Sequence, residues 1–243
     1  MSRGSGEFDS MQESQLRDSS SLITAAHELK APLALIRQLS LSIEQGDVSK
    51  EEQQRMLRQV TLTSERALRL TSDLTRAARL EDALFELEPI NPQQLCEDIA
   101  HELTPLFAAH GRIIRVASRR RPPLMVANRD LLRRIIMNFS DNALHYSDEN
   151  GIVELSTQIV NGEFVRVGVR DYGPALPSDT WRTLTSKLKS PQPVHARPQS
   201  SGLGLYIAGQ FAEVMNGSIG ATRHRDGASF YVDMHASKQL RLL

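Results

Sequence analysis

His27 and Glu28 stand side by side in the segment His27-Glu28-Leu29-Lys30-Ala31-Pro32-Leu33. A neutral imidazole nitrogen can act as a nucleophile, and a neighbouring carboxylate can hold its other N–H and stabilise the positive charge that develops. An exposed histidine beside a proline kink fits the same residues. Asn138 and Asn142, four apart, project from one face of a helix. Paired side-chain oxygens there suit a hard cation such as Mg²⁺, which prefers oxygen ligands and keeps waters beside phosphates. An ordinary polar helix face reads the same way. Asp171 of Asp171-Tyr172-Gly173 follows directly on a strand-like run. Its carboxylate could accept a hydrogen bond from an exocyclic amine such as that of adenine, or could simply close a turn. Gly202-Leu203-Gly204 opens a helix, where free N–H groups and the dipole favour a phosphate that glycines let come close, although a flexible helix entry looks alike. Each signal alone is weak.

The elements that must position these groups fall into two halves. From about Gln12 to Glu44, Leu22, Leu29, Ile36 and Ile43 recur every seven residues, with Ala26 and Leu33 at the second seam position. Sustained seams of this kind bury themselves against other helices. His27 sits beside the seam and should face solvent, and Pro32 removes the N–H that would bond the Glu28 carbonyl, so a kink is expected just after His27. Gly46-Asp47 breaks the run, and Ser49 followed by Glu52 resembles a capping box. The second helix carries Val60, Ala67 and Leu74 at one seam position and Met56, Leu70, Ala77 and Leu84 at the other. A lone hairpin would leave an apolar face wet, so two are expected to pair as a four-helix bundle in a homodimer.

Pro89-Ile90-Asn91-Pro92 reads as a hinge, dividing residues 11–88 from 89–243. Beyond it the pattern predicts a helix from Gln93 to His110, strands at Ile113–Ala117 and Leu124–Val126, and a helix capped by Asn128 or Asp130. That helix buries Leu131, Leu132, Ile135, Ile136 and Phe139. A hairpin about Asn161-Gly162, a helix from Gly202 to Met215 and a last hairpin about Asp226-Gly227 follow. The fold class is α+β: a helical hairpin, then helices layered on one face of a mixed, mostly antiparallel sheet.

Composition narrows the function. Lys plus Arg and Asp plus Glu both total 29, so there is no basic excess for nucleic acid, and Arg119-Arg120-Arg121 is short enough to be a solvated loop. Cys96 is the only cysteine, which excludes an intrachain disulfide and a thiolate metal cluster and fits a reducing cytoplasm. Apolar stretches such as Ala31 to Ile36 fall far short of the ~20 residues that a membrane span requires. The first ten residues, MSRGSGEFDS, read as a cloning scar and are excluded from fold reasoning. On that reading native sequence upstream has been removed. The given part is expected to be cytoplasmic, and a sensor or an inner-membrane anchor could lie in the missing part.

Taken together the segments resemble a known family. AHELKAPLALI is similar to the phosphoacceptor motif of sensor histidine kinases of bacterial two-component systems, His-Glu-Leu-Arg/Lys-Thr/Ser-Pro-Leu. NFSDNALHYS, VRDYGPALP and SSGLGLYIA resemble, in that order, the nucleotide-binding boxes of the histidine kinase ATPase domain, whose superfamily includes the gyrase, Hsp90 and MutL ATPases. The resemblance runs from about Asp18 to Ala236 and implies a dimerisation and phosphotransfer domain over 11–88 and an α/β-sandwich ATP-binding domain over 89–243. It makes His27 the phosphoacceptor and Glu28 its general base. Asn138 and Asn142 would coordinate Mg²⁺ and the phosphates of ATP, with His145 a phosphate contact and Tyr146 packed near the adenine. Asp171 would bond the adenine amino group, Gly173 would allow close approach, and Gly202, Leu203 and Gly204 would shape the mobile lid. The implied partners are a second copy of the chain and a response regulator docking near His27.

Several residues depart from the family pattern. Ala31 stands where a hydroxyl or amide residue often orients water for dephosphorylating the regulator, which puts phosphatase activity in doubt. His145 replaces a frequent Lys, which would weaken a phosphate contact or make it pH-dependent. Ala175 and Ser200 replace glycines, and the lid from Pro177 to Ser201 offers Trp181 and a proline-rich loop instead of a Phe-containing box. Lys187, Lys189 or Arg197 could reach the γ-phosphate. These departures motivate an alternative, a pseudokinase or ATP-sensing scaffold that transfers little phosphate. A third reading, a DNA-handling or chaperone ATPase, is disfavoured by the His27 motif on a heptad hairpin.

Overall fold

The computed structural model describes residues 29–46, 49–77, 85–117, 122–148, 150–188 and 203–238. The chain divides into two compact units, Met1–Arg79 and Leu80–Leu243.

In the first unit, helix α1 covers 29–45 and helix α2 covers Lys50–Ala77. Gly46 ends α1 at φ +76, a conformation glycine adopts without the Cβ penalty of other residues, and its N–H bonds the Ile43 carbonyl at 3.3 Å. Ser49 Oγ accepts the Glu52 N–H at 3.2 Å, which satisfies a first-turn donor of α2 as the sequence pattern predicts. Leu29, Ile36 and Ile43 on α1 and Met56, Val60 and Leu70 on α2 are half-buried, and Ala67 is buried, whereas Leu33 is 57% exposed. Helix α1 runs unbroken through Pro32. The expected kink after His27, and the seam residues Leu22, Ala26 and Leu84, lie outside the described residues, as do the side chains of Leu74 and Ala77.

The second unit contains β1 (Glu88–Ile90), α3 (Pro92–Ala109), β2 (Ile113–Val116), β3 (Met125–Ala127), α4 (Arg129–Tyr146), β4 (Ile152–Val160), β5 (Phe164–Asp171), α5 (Ser178–Lys187), α6 (Leu203–Val214), β6 (Ser218–His224) and β7 (Gly227–His235). Five strands form one sheet in the order β2-β4-β5-β7-β6, with only β2 and β4 parallel. Alternation sets its two faces. Val153, Leu155, Val165, Val167, Val169, Val232 and Met234 are buried on the side that carries the helices. On the other face Arg166 pairs with Asp233 at 2.7 Å and lies 3.5 Å over the Tyr231 ring. The pair holds the Arg166 guanidinium above its ordinary value.

Local chemistry explains the elements that frame the site. Asn128, extended at φ −85 and ψ 124, caps α4 by accepting the Leu131 N–H, so it and not Asp130 is the cap. Leu131, Leu132, Ile135 and Ile136 are fully buried below it and Phe139 almost so, each contributing roughly 1.5–3 kcal/mol by burial. Phe139 meets Phe230 of β7 at 6.0 Å between centroids, which seats α4 on the sheet. Asn161 and Gly162 take φ 51 and 74, the two positive values of the tight turn that matches strand twist. At the end of α6, Asn216 at φ 57 and a Gly217 N–H bond to the Ala212 carbonyl stop the helix where the sequence predicts. Burial, with Glu97 adding to it, pushes the Cys96 thiol on α3 up to about 12, so the thiol stays protonated and inert.

Two expectations require correction. The segment read as a hinge is built into the second unit: Glu88–Ile90 pairs antiparallel with Met125–Ala127, and Asn91 caps α3 by accepting the N–H groups of Gln93 and Gln94. Pro89 is the middle residue of an edge strand in a two-stranded sheet and Pro92 opens the first turn of a helix, both places where a missing N–H costs little. Residues 178–187, read as the start of an open lid loop, are helix α5, anchored by the buried Leu184 and by Arg223, which donates to Ser178 Oγ at 3.1 Å.

Candidate functional site

The three nucleotide-box segments of the second unit meet at the C-terminal half of α4. Asn138 and Asn142 lie one turn apart on its half-exposed side. The Asn138 amide donates to the Gly204 carbonyl at 3.4 Å, so the first turn of α6 rests on this face of α4. A helix start of this kind favours an anion through its N–H groups and dipole, and here it lies beside Asn138. A Cβ on Gly204 would meet Asn138 Cγ at 3.9 Å, an ordinary van der Waals contact, so the two helices pack side by side here without crowding.

The other end of the site is more tightly built. A Cβ on Gly173 would fall 2.2 Å from the Tyr146 carbonyl oxygen and 3.2 Å from Ser147 Cα, so only glycine lets the chain after β5 pass against the last turn of α4. The Asp148 N–H reaches the Tyr172 carbonyl at 3.4 Å, and Arg112 donates to the Ser147 carbonyl at 2.9 Å, which fixes the same junction from two sides. Gly173→Ala is expected to cost about 1–3 kcal/mol of stability as an overpacking change and to weaken nucleotide binding, measurable by thermal unfolding and by ATP titration of the folded fraction.

Asp171 ends β5 with 5% of its surface exposed. Its Oδ1 accepts the Ala228 N–H at 3.2 Å. The ladder between β5 and β7 closes at Arg170 and Ser229, so the side chain takes an amide that the ladder would otherwise have left over. On the opposite face Arg170 holds Asp226 at 2.7 Å and lies 4.4 Å from the Tyr172 ring centroid. Next to it His224 bonds Ser229 Oγ at 2.9 Å, and burial together with the Arg170 charge lowers its pKa. Arg134, one turn before Asn138 on α4, is half-buried, and burial lowers its guanidinium from the ordinary value.

The arrangement brings Asn138 to Gly204, and Tyr146 to Gly173. His27, Glu28 and Gly202 lie outside the described residues, as do Ser200, Lys189 and Arg197 of the lid, the run Arg119–Arg121 and the first ten residues. The side chains of His145, Leu203 and Lys187 also lie outside them. Sequence reasoning missed Ser147, Gly227 and Ala228. The Asp226-Gly227 pair signals a turn, but only the strand register shows that the turn leans on Asp171. No helix among the described residues is long and apolar enough to cross a membrane.

Comparison with known proteins places this geometry. Residues 127–238 match the family of histidine kinase-, DNA gyrase B-, and HSP90-like ATPases. Sensor protein kinase PmrB of Pseudomonas aeruginosa is 30% identical over 220 residues, covering 88% of this chain and 44% of its own. Adaptive-response sensory kinase SasA of Prochlorococcus marinus is 27% identical over 213 residues, covering 85% of this chain and 56% of its own. The chain thus spans about half the length of the curated relatives it matches. Among solved structures, histidine kinase ThkA in complex with response regulator protein TrrA aligns with a TM-score of 0.65 at 17% identity, over 95% of this chain and 66% of that one. ShkA in complex with AMPPNP aligns at 0.60 and 23% identity, over 92% and 47%. At such identities the structural likeness establishes the fold. Residues 127–238 therefore form a domain of the histidine kinase-, DNA gyrase B-, and HSP90-like ATPase family, and over more than four-fifths of its length the chain is similar to sensor kinases of two-component systems.

Proposed function

We propose that this chain is the ATP-dependent phosphotransfer core of its protein, phosphorylating His27 and passing the phosphoryl group to an aspartate of a response regulator. The observation that carries the reading is the convergence of three separated motifs on one end of α4: Asn138 against Gly204, Gly173 against Tyr146, and a buried Asp171 pinned by Ala228. Adenine would enter between Asp171 and Tyr146, with the Asp171 carboxylate accepting from its amino group. The phosphates would run toward Asn142, Asn138 and the first turn of α6, with Gly202, Leu203, Gly204 and the His145 side chain at the lid.

Asn138 and Asn142 would hold Mg²⁺ through their neutral amide oxygens, hard ligands of the kind it prefers, with ATP oxygens and waters as its other partners. When bound there, Mg²⁺ would neutralise charge on the β- and γ-phosphates. In the transfer itself, a ring nitrogen of His27 forms the N–P bond as the bond from the γ-phosphorus to the bridging oxygen breaks, and ADP leaves. Glu28 takes the proton from the other ring nitrogen, so the imidazole never carries its full positive charge. The regulator's aspartate must then reach the phosphohistidine on the helical hairpin.

A homodimer through that hairpin is supported by leucines left open in the single chain: Leu33, Leu41, Leu57 and Leu68 are 57%, 43%, 50% and 68% exposed. A second hairpin would cover such faces.

Titration with ATP and Mg²⁺, followed by addition of a phosphorylatable receiver domain, tests the reading. ATP binding that Asp171→Asn weakens at least about tenfold, as loss of one charge-assisted hydrogen bond would, together with label moving to the receiver, is the expected result. Tight ATP binding with no label on any residue would favour the ATP-sensing scaffold, which Ala175 and the irregular lid already motivate.

A further inference from the structure

Asp171 is held from behind by the β6–β7 turn. Gly227 sits at φ +126, and a Cβ there would fall 2.2 Å from the Asp171 carbonyl oxygen and 2.7 Å from its Oδ1. The following residue, Ala228, is buried and aims its N–H at the same Oδ1, 3.2 Å away. On the far face of the sheet Arg170 grips Asp226 at 2.7 Å, so residues 170–171 and 226–228 are fastened to one another on both faces. A carboxylate that is 5% exposed cannot choose its orientation by solvation and takes the one its neighbours impose.

We propose that Gly227 and the Ala228 amide are positioning residues for nucleobase selection: they fix the rotation of the Asp171 carboxylate so that it meets an exocyclic amine and rejects a carbonyl. The inference rests on the reading of Asp171 as the adenine anchor. One carboxylate oxygen is occupied by the Ala228 N–H, and that bond sets the plane in which the carboxylate can accept from the base. A purine with an oxygen in place of the amine would face a carboxylate that the turn prevents from swinging away. Selectivity for ATP would therefore depend on a glycine distant in sequence from each nucleotide box. The alternative is that Asp171 merely caps a leftover strand amide, in which case the turn has no influence on which base binds.

The test compares ATP with inosine triphosphate, which carries a carbonyl where ATP has its amine, on the whole chain with Mg²⁺. Gly227→Ala is expected to lower the ATP/ITP affinity ratio about tenfold, with ITP binding little changed, as one misaligned hydrogen bond to a charged group would. Gly162→Ala is the control: it places a side chain at φ +74 in the other hairpin, where nothing lies within 4 Å, and should leave the ratio unchanged. Equal loss for both nucleotides in Gly227→Ala would overturn the inference. Should that variant not fold, the wild-type Ala228 amide gives an independent reading: its proton resonance should move further with ATP than with ITP, and equal movement would overturn the inference. Asp171→Asn separates the two levels. If it leaves the ratio intact, the base-anchor reading itself is lost. If it collapses the ratio while Gly227→Ala does not, only the positioning role of the turn is lost.

Discussion

His27→Gln is expected to abolish acid-labile phosphorylation while leaving ATP affinity within about twofold, because a glutamine amide keeps the polarity and removes the nucleophile. The two effects separate because His27 belongs to the unit Met1–Arg79, whereas Asn138, Asn142 and Asp171 belong to Leu80–Leu243. A side chain whose only task is to accept the phosphoryl group contributes nothing to nucleotide binding in the other unit. Labelling with γ-labelled ATP and titration of the same preparation check both halves of the prediction. Glu28→Gln should be intermediate: the ring nucleophile remains, but the proton on its other nitrogen has no carboxylate to go to. A positioned general base typically contributes 10²–10⁴-fold, so a loss of roughly that order is expected in the labelling rate.

Asn142→Ala is expected to reduce labelling at least about a hundredfold by removing an oxygen that would stabilise charge through Mg²⁺ on the transferring phosphoryl group. The structural cost of the change should be small. Asn142 is half-buried on α4, one turn beyond the buried Phe139, and alanine is the better helix former. Unfolding temperature should therefore stay within a few degrees while activity is lost, a pattern opposite to that of Gly173→Ala, where stability and binding fall together. Asn142→Asp keeps an oxygen in place and should retain more activity than Asn142→Ala. Labelling rates at several Mg²⁺ concentrations, with thermal unfolding alongside, distinguish these outcomes.

Much of the second unit was legible because its signals are local. The cap before α4, the Asn161-Gly162 turn, the Asn216-Gly217 stop and the buried stripe of α4 each follow from a few adjacent residues. What escaped depends on partners distant in sequence. Strand β1 has three residues, one of them proline, and exists because Met125–Ala127 pairs with it. Helix α5, SDTWRTLTSK, is rich in Ser and Thr and offers Leu184 as its one fully buried anchor, so periodicity gave little to read. The site was legible as types and order of residues, but its construction was not. That Gly173 must be glycine follows from the Tyr146 carbonyl, and that Gly227 bears on Asp171 follows from the register of three strands. Close backbone approach leaves no trace in composition beyond the glycine itself.

Whether the nucleotide site of the second unit delivers phosphate to His27 is decided by incubating the whole chain with γ-labelled ATP and Mg²⁺ and then treating the labelled protein with acid and with alkali. Label is expected to survive alkali, to be lost in acid as a phosphorus–nitrogen bond would be, and to be absent from His27→Gln and Asn142→Ala carried through the same procedure. A folded wild type that binds ATP yet takes up no label at saturating nucleotide, or label that persists in His27→Gln, would contradict it.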